Sequence, residues 1–140
     1  MNEGKITYVF DTSAWLALIE DEAGADVVQT LLESTRSGEI DIFVSFMSFM
    51  EVFYITQQER EIEEARARVR LMESLPIRRV ESTPSLCESA AKLKAKYRIS
   101  VADAWIAALA LERNATLIHK DPEFERMEGE LQVLRLPYKG

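Results

Sequence analysis

Three carboxylates stand alone inside the most apolar stretches of the chain: Asp11 in VFDTSAWLALI, Glu51 in IFVSFMSFMEVFYI and Asp103 in ISVADAWIAALAL. An ionised carboxylate in apolar surroundings costs on the order of several kcal/mol unless it is paired, protonated or bound to a cation. None of the three stretches contains a Lys or Arg. A fourth candidate, Asp121, follows the run Thr116-Leu117-Ile118, with His119 and Lys120 between. If the fold brings the four together they repel one another and raise each other's pKa, so a divalent cation is their natural partner. Oxygen-only donors suit hard ions, Mg²⁺ or Mn²⁺, whereas Zn²⁺ takes His or Cys, of which the chain has one each. The commonest chemistry of such a site is in-line hydrolysis of a phosphodiester by metal-activated water. Hydrolysis of RNA or DNA is the expectation.

The elements that would carry these residues follow from the pattern. Ile6 to Phe10 is β-branched and aromatic and reads as a buried strand ending at Asp11. Thr12 and Ser13 offer caps for a helix through Ile19, and a second helix covers Asp26 to Arg36, stopping near Gly38. Asp41 to Ser45 reads as a strand, followed by a helix from Phe46, and the mixed-charge stretch 57–72 continues or restarts helix. Ile77 to Val80 is a short strand. Thr83 and Pro84 open a helix to about Tyr97, and Ser100, with Asp103 as a capping pair, opens another to Glu112. Thr116 to His119 and Leu131 to Leu136 complete the strands. Alternating short strands and helices predict an α/β fold with a mostly parallel sheet covered by helices. In such sheets functional groups gather at the carboxyl ends of the strands and in the following helix turns, where all four acids fall. Glu51 shares a helix face with Met47, Ser48, Tyr54 and Ile55, and Asp103 with Ile106, Ala107 and Ala110, so both are expected to point inward.

With 140 residues, 47% of them hydrophobic, the chain suits a single domain over 1–140 with one well-buried core. The lone Cys87 and the lack of a basic, then apolar N-terminal leader lead to the expectation of a reducing, cytoplasmic setting. The apolar run from Ile42 to Ile55 is broken by Glu51 and falls short of the roughly 18 residues a membrane span needs. A net charge of −7 argues against a protein that coats nucleic acid. It leaves a nuclease open, since acidic metal ligands count toward that total and bound cations offset them locally. Lys92, Lys94, Lys96 and Arg98 are candidates to meet RNA phosphates at the rim, although spacing by two spreads them over two helix faces.

Taken together, the chain resembles the PIN domain family, and within it the VapC-type toxins of toxin–antitoxin pairs. The residues that carry the resemblance are Val9-Phe10-Asp11-Thr12-Ser13, Glu51, Ser100 through Ala108 and Leu117 through Phe124. Their order and spacing, rather than any one motif, give it specificity. The resemblance implies a three-layer α/β/α domain and a Mg²⁺- or Mn²⁺-dependent endoribonuclease. It implies that Asp11, Glu51, Asp103 and Asp121 form the acidic metal-binding and catalytic quartet, with Ser13 as a polar helper of Asp11. It further implies a homodimer inhibited by a cognate antitoxin that inserts into the active site. His119 departs from the Thr, Ser or Asn of the family pattern, and Glu123 stands where a further Asp is frequent.

Each acid also has an ordinary structural explanation. Asp11 is a suitable helix N-cap, Glu51 and Asp103 can close capping boxes with Ser48 and Ser100, and Asp121 before Pro122 suits a turn. Cys87, Trp15 and Trp105 read as packing residues. A haloacid-dehalogenase phosphatase needs a second Asp two positions after Asp11, where the chain has Ser13. The five glycines form no phosphate-binding cluster, and no Gly-x-Ser-x-Gly elbow accompanies His119. The alternative left standing is a catalytically inactive PIN-like binding or assembly module.

Overall fold

The computed structural model describes residues 5–138. Five strands form one sheet: β1 (Ile6–Phe10), β2 (Ile40–Ser45), β3 (Arg78–Val80), β4 (Thr116–His119) and β5 (Gln132–Arg135). Their order across the sheet is β3-β2-β1-β4-β5, and every pairing is parallel. The expectation of a mostly parallel sheet is thus met by a wholly parallel one. Among the described residues six α-helices cover it: α1 (Thr12–Ile19), α2 (Ala25–Ser34), α3 (Phe46–Glu59), α4 (Ile62–Ser74), α5 (Pro84–Lys96) and α6 (Val101–Glu112). Two 3-10 segments, Thr35–Ser37 and Pro122–Met127, complete the set.

The two-residue period of the strands sorts their side chains into two cores. Phe10, Ile42, Val44 and Ile118 face a cluster with Ala14, Trp15, Val28, Phe49 and Met72 of α1 to α4. Val9, Phe43 and Leu117 face the opposite cluster, with Leu86 and Leu93 of α5, Ile106 and Leu109 of α6, and Phe124. This is the three-layer α/β/α arrangement of the sequence expectation.

Local chemistry sets the helix starts. Asp11, Ser45, Thr83 and Ser100 each adopt extended backbone and accept an amide hydrogen bond from two or three residues on. The cap of α1 is Asp11 itself, not Thr12 or Ser13, because its carboxylate reaches the amide of Ala14 at 2.8 Å. The stretch 57–72 restarts rather than continues, α3 ending at Glu59 and α4 beginning at Ile62. Cys87, expected in the core, is exposed, because the buried stripe of α5 runs through Leu86, Ala90 and Leu93. Trp15 is fully buried against Phe10, and Trp105 is partly buried against Phe46 at a ring separation of 5.1 Å.

Strand order defines where the site must lie. From β1 the chain moves outward to β2 and β3 along one half of the sheet, then returns to β4, on the other side of β1, and steps out to β5. The connections diverge between β1 and β4, and a crevice opens at the carboxyl ends of those strands. Asp11 follows β1 and Asp121 follows β4.

Candidate metal centre

At that crevice the Asp11 amide donates to the carbonyl of Ile118, joining the end of β1 to β4. The Asp11 side chain is buried, 1% exposed, and its oxygens lie 2.8 and 2.6 Å from the Ser13 hydroxyl, one of them also capping Ala14. Ser13 in turn accepts the amide of Lys120 at 2.8 Å. One hydroxyl therefore ties the first acid to the turn that carries the fourth. Burial raises the Asp11 pKa from 3.8 to about 7, against the lowering influence of the Ser13 and Ala14 hydrogen bonds.

Asp103 sits in the first turn of α6, its amide donating to the cap oxygen of Ser100 at 3.1 Å. Its carboxyl is raised to about 9, first by burial and then by the charges of Asp121, Asp11 and Glu123. Asp121 caps the 3-10 segment Pro122–Met127, accepting the amide of Glu123 at 2.9 Å. Glu123 reaches across to accept the amide of Ser100, fastening this segment to the start of α6. One carboxylate oxygen from each of Asp103, Asp121 and Glu123 lies within 4.8 Å of the others.

Glu51, on α3, lies beside this trio. Its Oε1 accepts the Thr12 hydroxyl at 2.6 Å, and Thr12 Oγ1 is 3.1 Å from Ser48 Oγ. The Glu51 pKa is raised, chiefly by burial, with the charges of Asp121 and Glu123 adding to it. Among the described residues Glu51 is thus engaged with α1, and the capping of α3 falls to Ser45. All four acids picked out from the sequence reach one sheet edge. The tight trio is Asp103, Asp121 and Glu123, with the Asp11 carboxylate engaged by Ser13 and Ala14 and Glu51 by Thr12.

Glu123 is not one of the four acids expected as donors. Beyond the family pattern, in which a further Asp is frequent at this place, its signal is the spacing Asp121-Pro122-Glu123, which reads as turn chemistry until the 3-10 segment directs the longer side chain back toward α6. Three carboxylate oxygens in close array, with the Asp103 carboxyl raised by burial and by the charges of its acidic neighbours, form a donor set that fits a hard divalent cation and not a soft one.

His119, at the end of β4, is fully buried, and its Nδ1 accepts the amide of Asp121 at 3.1 Å. Burial holds its pKa below the usual imidazole value. Lys120 Nζ is nearly enclosed, donating to the carbonyl of Ala23 at 2.9 Å and lying 3.5 Å from Glu22. A groove of about 590 Å³ adjoins the centre, with Ser13, Lys120 and Pro122 in its wall beside Glu20, Glu59 and Arg60. Arg60 is engaged by Glu20 at 3.1 Å. Of the basic residues considered for phosphate contact, Lys92 pairs with Glu88 and Lys96 with Glu130.

A family model for the PIN domain matches residues 8–130. The chain belongs to the PIN domain family. No curated protein matches its sequence. Among solved structures, the chain is similar to VapBC2 from Rickettsia felis bound to a promoter DNA fragment, with a TM-score of 0.74 at 16% identity, covering 94% of this chain and 100% of the other. It is similar to a DNA-bound VapBC from Salmonella typhimurium, with a TM-score of 0.72 at 17% identity and coverage of 93% and 98%. It is also similar to VapC20 from Mycobacterium tuberculosis, described as a sarcin–ricin loop cleaving toxin, with a TM-score of 0.68 at 19% identity and coverage of 86% and 94%. At these identities the likeness speaks for the PIN fold. The departures at His119 and Glu123 sit within this fold, and both side chains bond to the segments that carry Asp121 and Asp103.

Proposed function

We propose that this PIN protein is a Mg²⁺- or Mn²⁺-dependent endoribonuclease, the toxin component of a type II toxin–antitoxin pair. The observation that carries the reading is the trio Asp103, Asp121 and Glu123, with oxygens within 4.8 Å of one another at the β1/β4 crevice of a PIN fold. Asp103, Asp121 and Glu123 would hold the cation, with Asp11 and Glu51 completing the acidic set. A divalent cation bound there supplies a more acidic water and positive charge for the phosphate oxygens. Ser13 keeps Asp11 ionisable despite its burial, since a hydrogen bond to a carboxylate favours the charged form. Thr12 does the same for Glu51 and fixes its Oε1, leaving the other oxygen to orient a water for attack on phosphorus.

The solved complexes with the same fold support an antitoxin as protein partner. For the homodimer the support is an apolar surface. Met50 and Val101, both more than half exposed, lie one helical turn from Phe46 and Trp105, whose rings join α3 to α6. No helix among the described residues is long and apolar enough to cross a membrane.

The test is cleavage of a mixed cellular RNA by purified wild type, Asp11→Asn and Asp103→Asn in Mn²⁺, in Mg²⁺ and in EDTA. Cleavage by wild type that requires the cation and vanishes in both variants, with folds intact by circular dichroism, supports the reading. Cleavage that survives both substitutions contradicts it. Cation binding without cleavage of any RNA favours the inactive binding module instead.

A further inference from the structure

The segment His119-Lys120-Asp121 leaves β4 and turns into the acidic centre, and each of its three residues is held by its backbone. The His119 carbonyl accepts the amide of Leu136 at 2.8 Å, and the Lys120 amide donates to Ser13 Oγ at 2.8 Å. The Asp121 amide donates to the Nδ1 of His119 at 3.1 Å. A side chain that accepts the amide two residues on is the geometry of Asx and ST turns, where a short oxygen-bearing side chain does the accepting. Here an imidazole nitrogen fills that place.

The ring is locked in this role. It is fully buried and packs against Phe124 at 5.2 Å and Tyr138 at 6.4 Å between centroids. With Nδ1 accepting, the ring proton lies on Nε2, which is buried and has no hydrogen-bond partner among the described residues. An aliphatic side chain of similar volume would fill the same space without that unsatisfied donor, so packing alone does not account for histidine.

We propose that His119 is a positioning residue of the acidic centre, its Nδ1 holding the Asp121 amide and through it the turn that carries the Asp121 and Glu123 carboxylates to Asp103. The consequence for cation affinity rests on the metal-centre reading above; the His119–Asp121 bond itself does not.

The test compares wild type with His119→Asn, His119→Gln and His119→Leu. Asn places its Oδ1 near the position of Nδ1, Gln places its Oε1 near that of Nε2, and Leu fills the core with no acceptor. Two quantities are read: hydrogen exchange of the ¹⁵N-labelled Asp121 amide in EDTA, and Mn²⁺ affinity by calorimetry. Thermal unfolding checks the fold of each variant. Loss of a residue that orients a ligand from behind costs about 10- to 100-fold in metal affinity. The expected result is faster Asp121 exchange and an affinity loss of about tenfold or more in the Gln and Leu variants, even where Leu is as thermostable as wild type. The Asn variant should retain both the protection and most of the affinity. Unchanged exchange and affinity in His119→Leu, or losses in Asn equal to those in Gln, overturn the proposal. If wild type binds no Mn²⁺, the metal-centre reading fails and the affinity consequence with it, while the exchange pattern still decides whether His119 holds the turn.

Discussion

Replacing Asp11 by Asn separates the two properties of this residue, its cap and its charge. Asn retains an oxygen for the Ala14 amide, so α1 keeps its cap, while the ionisable group is removed. In the folded protein the Asp11 pKa is raised from 3.8 to about 7. A raised carboxyl contributes fully below the unfolded-state pKa, and that contribution is lost as pH climbs through the folded value. Between pH 5 and pH 8 the two titration curves differ enough for wild type to lose about 2–3 kcal/mol through this carboxyl alone. Asp11→Asn cancels that loss. In urea unfolding with EDTA present, the stability difference between variant and wild type should therefore move by about that amount in favour of the variant from pH 5 to pH 8. Excess Mn²⁺ should reverse the order at pH 8 by stabilising only the wild type. A difference that stays flat with pH, or moves in favour of wild type in EDTA, would mean that the Asp11 carboxyl is not raised by its burial.

Thr12→Val keeps the shape of the side chain but removes the 2.6 Å bond to Glu51, so the acid limb of the cleavage pH profile should move upward with kcat down by about tenfold. Gly24 has φ +99°, and a Cβ there would lie 2.9 Å from the Cβ of the buried Leu136. Gly24→Ala should cost about 2 kcal/mol in urea unfolding from left-handed strain and overlap together. Arg68, buried on α4, lies 2.8 Å from Glu20 and 3.3 Å from Glu64 and donates to Thr56. Arg68→Ala should cost about 2 kcal/mol of stability while leaving Mn²⁺ affinity unchanged, as calorimetry would show.

Much of the fold was legible because local and long-range signals agree. Tyr8, Val9 and Phe10 alternate between the two cores, Thr83 and Ser100 cap the helices that follow them, and the apolar runs around Glu51 and Asp103 are long enough to read as buried faces. Strand order was not legible. It depends on which side of β1 each crossover returns to, and no local residue encodes that choice. The same limit hid part of the site. Asp11, Glu51 and Asp103 stand out because each is a lone charge within apolar sequence, and Asp121 because it follows an apolar strand, whereas Glu123 is one of several charges over 120–126 and gains its place only when the Pro122–Met127 turn reaches Ser100. His119 is visible in the sequence only as a departure from the family's Thr, Ser or Asn, since an imidazole at a strand end carries no sign that its Nδ1 will meet an amide two residues on.

The central claim is that the carboxylates gathered at the β1/β4 crevice bind a divalent cation. Titrating Mn²⁺ into wild type and Asp103→Ala at neutral pH, followed calorimetrically, tests it most directly. Wild type should bind Mn²⁺ saturably, with protons released as the raised carboxyls ionise, and the variant should not bind it. Binding of equal strength to both proteins, or to neither, would contradict it.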